Sequence, residues 1–309
     1  MLEILVEKKM QAQIQEVGGK LALISNGKTV AKSTRREYLQ MRAAELGYVL
    51  EALQQEVAPE FSIRERFEFL TNYVDLVSDK VMPSLIITGD GGLGKTYTVM
   101  DTLKKKGLTD VADSISGDEV EEDEDGEARV FGDYVVIKGF STARGLYNTL
   151  YENKDRIVIF DDCDSVLKDP IALNLLKGAL DSYGERWISW KSERMLGDGV
   201  PSVFRFKGQI IFISNMKLHN IDQAVRSRSI CVDVSMTKTE KIDRMMHILE
   251  EDQFMPNYEM SVKQEAVEFI DEMKDKANEL SIRTLITVTK LAAKGGTNWK
   301  RLAEYTITA

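Results

Sequence analysis

Cysteine and histidine are scarce in this chain. Of its 309 residues, two are cysteine (Cys163, Cys231) and two are histidine (His219, His247). The cysteines lie far apart, each beside a strand-like run. They read as buried free thiols of a reducing cytoplasm, not as a disulfide framework. Two histidines do not make a zinc site, so any metal is expected to be Mg²⁺ arriving with a ligand. Long apolar runs are missing too. None approaches the roughly 20 residues that span a bilayer, which excludes a spanning helix and a membrane partner. The stretch Met1-Leu2-Glu3-Ile4-Leu5-Val6-Glu7 has early acids and a short apolar run, against a signal peptide. A cytoplasmic location is expected.

Positive charge is also in deficit. Lys and Arg number 41 against 50 Asp and Glu, a net charge of −9. That excludes a molecule coated in positive charge for nucleic acid. Much of the excess sits in one block, Asp118-Glu119-Val120-Glu121-Glu122-Asp123-Glu124-Asp125-Gly126-Glu127. It repels itself and lacks apolar residues, so it is expected to be a solvated loop. The rest of the chain is close to neutral, which leaves room for a local basic surface. The hydrophobic fraction of 43% is ordinary for a globular protein. The length suffices for one large domain or two modest ones.

What is present is one octapeptide, Gly89-Asp90-Gly91-Gly92-Leu93-Gly94-Lys95-Thr96, the pattern G-x-x-x-x-G-K-[ST]. An apolar strand pattern, 84–88, precedes it, and a helical pattern, 95–106, follows. Strand, glycine loop and helix form the context a phosphate-binding loop needs. Glycines let the backbone approach phosphates, and the N–H groups of loop and helix N-terminus point at the anion. Lys95 would reach the β- and γ-phosphates, and the Thr96 hydroxyl would sit on Mg²⁺. The cofactors this pattern implies are ATP and Mg²⁺.

Strand and helix patterns alternate from here. Strands are read at 84–88, 134–138, 157–161, 210–214 and 230–234, and helices at 95–106, 141–153 and 169–183. Alternation of this kind predicts a parallel sheet covered on both faces. After Val234 only helices are read, at 239–252, 261–276, 281–294 and 298–305. Upstream, 62–80 reads as a helix with Ile63, Phe67, Leu70, Val74 and Val77 on one face. Residues 20–25 and 28–32 flank Asn26-Gly27, a two-residue hairpin signal. Residues 36–57 read as a helix stopped before Pro59. Three parts are expected: a docking or packing segment (1–60), an α/β nucleotide-binding domain (61–235) and a helical lid (236–309).

Four further motifs follow the loop. Arg156-Ile157-Val158-Ile159-Phe160-Asp161-Asp162 is an apolar strand ending in two carboxylates, at the edge where ligands sit in open α/β sheets. Asp161 fits a role holding Mg²⁺, and Asp162 would polarise the attacking water. The bland alternative is an ordinary polar turn. Gln209-Ile210-Ile211-Phe212-Ile213-Ser214-Asn215 is another apolar strand, now ending in an amide that could hold the water and sense the γ-phosphate. Many strands end in such turns. Arg226 and Arg228 precede the last strand, as a solvated basic turn or as an arginine finger on a neighbouring subunit's γ-phosphate. A finger supplies about 10³–10⁵ in rate. Arg283, in Leu280-Ser281-Ile282-Arg283, opens a helix that could close over the nucleotide.

In this order the five motifs resemble the AAA+ ATPase family, over about residues 61–309. The loop 89–96 is similar to Walker A, Asp161-Asp162 to Walker B, Asn215 to sensor 1 and Arg283 to sensor 2. Ser227-Arg228-Ser229 is similar to the Ser-Arg-Cys finger of clamp loaders, which favours Arg228 over Arg226. The resemblance implies a three-layer α/β fold with a parallel sheet in 5-1-4-3-2 order, a helical lid, and a homo-oligomeric ring or spiral with sites between subunits. One departure is plain: most members carry Asp-Glu at Walker B. The pattern also resembles AAA+ proteins of tailed bacteriophages, which would place the chain in the host cytoplasm. No LSGGQ-like signature and no Asn-Lys-x-Asp motif is present.

Between Asp162 and Asn215 lies a segment expected to form a β-hairpin. It carries Trp187, Trp190, Phe204 and Phe206 among Arg186, Lys191, Arg194, Arg205 and Lys207. Aromatics with basic neighbours stack on bases and neutralise phosphates. Equally, such aromatics pack on a sheet. The substrate reading is DNA, contacted through Trp187, Trp190, Lys191, Arg205 and Lys207. The alternatives are a protein partner remodelled through a pore, or a nucleotide-switched scaffold. Lys138-Gly139-Phe140 leads directly into a helix, without the aromatic–Gly loop of peptide-threading members, which tilts the expectation toward DNA.

Overall fold

The computed structural model describes residues 11–17, 20–25, 28–46, 48–50, 61–115, 131–139, 141–181, 184–191, 199–250 and 254–309. The chain divides into two compact units, 1–60 and 61–309.

In the first unit, strands β1 (Gln11–Val17), β2 (Lys20–Ser25) and β3 (Lys28–Ser33) precede helix α1 (Arg36–Glu45) and a short strand β4 (Val49–Leu50). They form one sheet in the order β3-β2-β1-β4. The hairpin read from the sequence is present as antiparallel β2 and β3, though Asn26-Gly27 lies outside the described residues. The long helix over 36–57 is corrected. It ends at Glu45, and Val49–Leu50 instead pair in parallel with Gln11–Ala12. Tyr48 and Val49 are aromatic and β-branched and suit a pleated strand better than a helix. Residues 51–57 of that reading lie outside the described residues.

The second unit opens with α2 (Ile63–Ser78). Ser62 starts it, its hydroxyl accepting from the Glu65 N–H while Glu65 accepts back from the Ser62 N–H. There follow β5 (Ser84–Thr88), α3 (Lys95–Lys105), α4 (Val111–Ile115), β6 (Tyr134–Lys138), α5 (Ala143–Glu152), β7 (Ile157–Asp161) and α6 (Pro170–Ala179). A hairpin of β8 (Trp187–Ser189) and β9 (Val203–Arg205) leads to β10 (Gln209–Ile213), α7 (Gln223–Arg226) and β11 (Ile230–Asp233). Four helices complete it: α8 (Lys238–Leu249), α9 (Met260–Met273), α10 (Ile282–Lys294) and α11 (Trp299–Thr308). The acidic block, 118–127, lies outside the described residues.

Five strands form one parallel sheet in the order β11-β5-β10-β7-β6. Counted along the chain, that is 5-1-4-3-2. Strands β5, β7 and β10 are buried along their whole length. This follows from their near-continuous Ile, Val, Leu and Phe, the composition of a parallel strand covered on both faces. On one face Leu85, Ile87, Ile159, Ile211 and Ile213 pack against α2 and α3 through Leu70, Val74, Val99 and Leu103. On the other, Phe160 and Phe212 stack at 5.4 Å and meet α5 and α6. Because every strand runs the same way, all five C-terminal ends lie at one edge, and the glycine loop leaves β5 at that edge.

Helices α8 to α11 bury a cluster of their own, including Met245, Ala266, Ile270, Leu285 and Val288. Polar contacts link this bundle to the α/β part, among them the following two. The Arg66 guanidinium, its side chain 10% exposed, donates to the Ser235 carbonyl and pairs with Glu240. The first helical N–H of α10, on Ile282, donates to the Gly92 carbonyl at 2.9 Å. Among the described residues no helix is long and apolar enough to cross a membrane.

Removing one partner of a buried ion pair leaves the other charge uncompensated. Arg66→Ala is expected to cost about 2–3 kcal/mol, less than for a fully buried pair because Glu240 retains some solvent. Because Glu240 also accepts from the Thr237 N–H at the start of α8, Glu240→Gln is the partner change that removes charge and keeps that cap. Arg66→Ala/Glu240→Gln is expected to recover part of the loss, and urea unfolding of the set measures it.

Candidate phosphate-binding site

The strand edge brings together most residues singled out in the sequence. Gly89, Gly92 and Gly94 all take positive φ, at 137°, 70° and 91°. Two of these positions show why. A Cβ on Gly89 would stand 3.0 Å from the Val234 carbonyl carbon, and Gly94 caps α3 in a left-handed conformation. Only glycine takes both without strain. The loop therefore presents main-chain N–H groups at the start of α3, a ready anion site. Leu93 is buried beneath it in the face that packs on α2 and α3.

Lys95 is 5% exposed. Its ammonium donates to the carbonyls of Gly89 (2.6 Å) and Asp90 (2.7 Å) and to Asn215 Oδ1 (2.9 Å). Burial lowers its pKa, while Asp162, Asp90, Asp161 and Asp164 pull the other way. The Thr96 hydroxyl donates to Asp161 Oδ1 at 2.9 Å. Asp162 adopts φ 56°, a left-handed conformation that Asp tolerates better than most residues. Its N–H donates to the Ile213 carbonyl, and its Oδ1 accepts from Asn215 Nδ2 at 2.8 Å. Loss of water around its carboxylate, then the charge of Asp161, pushes the Asp162 carboxyl above its ordinary range, against the pull of Lys95.

A cavity of about 460 Å³ opens over this edge. Its polar side is Gly91 to Thr96, Asp161, Asp162 and Asn215, with Arg283 facing it from α10. Its other side is apolar, supplied by Ile248, Phe254, Met255, Ile282 and Ile286 of the helical bundle. Polar and apolar halves of this kind suit a ligand with a charged tail and a flat organic head.

The residues fit a divalent ion that comes with phosphate. Thr96 and Asp161 offer two oxygens facing each other. Among the described residues no group of three or more His, Cys, Asp or Glu side chains is placed to hold a metal alone. Two protein oxygens, completed by phosphate and water, is the usual arrangement for Mg²⁺.

Arg228 is not brought to this site. Its carbonyl accepts from the Ser84 hydroxyl at the start of β5, the opposite edge of the sheet, roughly 13 Å of strand away. Its guanidinium donates to the Ala224 carbonyl at 2.9 Å, and Arg226 donates to that of Ile221. The hairpin also differs from its sequence reading. Phe204 and Phe206 are buried, Phe204 against Tyr147 and Tyr151. Trp190 packs on Tyr147 at 5.8 Å. Arg186 donates to the carbonyls of Ala179 and Gly208, Arg205 pairs with Glu185 at 2.7 Å, and Lys207 lies 3.8 Å from Asp155. Of the aromatics, Trp187 alone is well exposed, at 56%; Lys191 is exposed beside the hairpin, and Arg194 lies outside the described residues.

Several site residues carried no sequence signal. Lys241 of α8 pairs with Asp90 in the loop at 2.8 Å. Arg244, one turn on, is buried over the Phe67 ring and borders the cavity beside Gly94. Asp164 accepts from the Ser214 hydroxyl, and Lys138 lies 3.8 Å from Asp161. Cys163, buried, donates to the Ile137 carbonyl, and burial pushes its thiol up to about 11, so it stays protonated.

No protein-family model matches the chain. It is similar to a phage protein. The relative is the "Uncharacterized 36.7 kDa protein in nrdC-mobD intergenic region" of Enterobacteria phage T4, 27% identical over 259 residues, covering 78% of this chain and 73% of the relative.

A carboxyl whose pKa is raised in the fold binds its proton more tightly than the unfolded chain does. Its contribution is most favourable at low pH and declines as pH rises from the unfolded value through the folded one. Asp162→Asn removes that charge and suits the left-handed backbone equally well. With EDTA present, the variant is expected to melt above the parent at pH 7, the gap closing toward pH 4.

Proposed function

We propose that this chain is a Mg²⁺-dependent ATPase of the AAA+ type that works as a homo-oligomer, coupled to DNA. The observation that carries the reading is the meeting of Lys95, Thr96, Asp161, Asp162 and Asn215 at the mouth of one parallel sheet. The 5-1-4-3-2 strand order and the helical bundle closing over the loop support it. The relative in phage T4 supports a phage origin and a place in the host cytoplasm.

In this reading the loop amides and Lys95 hold the β- and γ-phosphates. Lys95 would release the carbonyls of Gly89 and Asp90 and turn its ammonium to the phosphate oxygens. Thr96 and Asp161 would hold Mg²⁺, which would supply charge neutralisation on the phosphates. Asp162 and Asn215, already bonded to each other, orient and polarise the attacking water. Arg283 approaches from α10. The apolar half of the cavity takes the base. Arg228, on the far edge of its own sheet, serves a neighbouring copy.

A second reading, a protein remodeller, draws support from the hairpin. Its cations Arg186, Arg205 and Lys207 already have protein partners, which weakens that element as a DNA contact.

Steady-state ATP turnover across protein concentration tests the proposal. Lys95→Ala is expected to lose nucleotide binding, and Arg228→Ala to bind ATP yet lose about 10³-fold or more in turnover. Mixing Arg228→Ala with Lys95→Ala should restore part of the activity, since each supplies what the other lacks. Parent-level turnover by Arg228→Ala alone would remove the shared site from the proposal.

A further inference from the structure

The chain is acidic overall, yet one part of the helical bundle carries no acid at all. From Leu280 to Ala303 there is no Asp or Glu, while Arg283, Lys290, Lys294, Lys300 and Arg301 fall within it. On α10, Arg283, Thr287, Lys290 and Lys294 stand four, three and four residues apart, and all four are exposed. That spacing lines one helix face. The stripe begins at the cavity, where Arg283 faces the phosphate loop, and runs roughly 17 Å to the end of the helix. Gly295 and Gly296 turn the chain at positive φ, with open space where a Cβ would be. Helix α11 then packs on α10 and adds exposed Lys300 and Arg301.

These cations lack the partners that occupy those of the hairpin. Among the described residues, no carboxylate pairs with Lys290, Lys294, Lys300 or Arg301. Most acids of the bundle gather elsewhere, with Glu265, Glu268 and Glu272 exposed on α9 and Asp275 and Glu279 beyond it; on α11 one exposed acid, Glu304, stands a turn beyond Lys300 and Arg301. Tyr305 stands four residues after Arg301 on the same face of α11 and is 75% exposed, the most exposed large hydrophobic side chain among the described residues. A cationic stripe without carboxylate partners neutralises a phosphate backbone, and an exposed ring beside it offers a face for a base to stack on; Lys300 lies over the Trp299 ring at 5.5 Å.

We propose that the exposed face of α10 and α11, carrying Lys290, Lys294, Lys300, Arg301 and Tyr305, binds single-stranded nucleic acid. The hairpin at 187–205 is not the main contact. The surface stands independently of the phosphate-loop reading. Only its coupling to nucleotide, through Arg283 on the same helix, rests on that reading.

Fluorescence anisotropy of a labelled 30-nucleotide single strand with the full chain, titrated with salt, tests this. Four neutralised phosphates give a slope of log K against log salt of about −3. Lys290→Ala/Lys294→Ala/Lys300→Ala is expected to weaken binding by at least ~10-fold near 0.1 M salt and to flatten the slope by about 2. Tyr305→Ala is expected to weaken binding with the slope unchanged. Trp187→Ala and Lys191→Ala should bind as the parent does. Lys95→Ala should bind the strand as well as the parent, and the triple variant should keep its affinity for an ATP analogue. These last two arms separate a failure here from a failure of the nucleotide site. The proposal is overturned if the parent does not bind the strand, if the triple variant binds it equally, or if the hairpin variants lose binding instead. It is also overturned if poly-glutamate competes as well as unlabelled strand, since the surface would then fit an acidic protein.

Discussion

A buried ammonium governs the chemistry of this molecule. Lys95 is almost wholly withdrawn from water, and isolated charge in that position is costly. Two loop carbonyls, one amide oxygen and the nearby carboxylates of Asp161 and Asp162 make it tolerable. Those groups exist at one place because β5, β7 and β10 run parallel and end together. The buried apolar strands thus do more than fill a core. They deliver their polar ends to a common edge with no freedom to drift apart.

The helical bundle is tied to that edge by polar contacts rather than by a broad shared core. The Ile282 N–H bonds the loop carbonyl of Gly92, Lys241 pairs with Asp90, and Arg66 reaches Glu240 from α2. Polar links of this sort exchange partners at modest cost, whereas an interleaved apolar core does not. Lys241 and Arg283 reach the loop from two different helices.

Much of this was legible in the chain. The loop, the two carboxylates and Asn215 could be read because each sits at a strand end whose apolar run announces it. The pairings of Lys241 with Asp90 and Arg66 with Glu240 could not. They depend on the angle at which helices far apart in sequence meet, and no local pattern encodes that angle. The hairpin shows a subtler limit. Alternation along 185–191 and 203–207 marked a hairpin that pairs over 187–189 and 203–205, but period two does not say which face is wet. Phe204 faced the core, and the neighbouring cations found carbonyls and carboxylates. In the first unit, Gln11–Val17 is too polar to announce itself as a strand, and the helix reading ran through Val49 and Leu50, which pair with it.

The left-handed turn at Asp162 carries one more consequence. Asp and Asn accept that backbone because their short polar side chains can bond locally, and a longer side chain gains no such compensation. Asp162 is therefore not a truncated glutamate awaiting an extra methylene. Its reach and the hand of the chain beneath it form a single matched choice, so lengthening the side chain would ask the main chain to change as well.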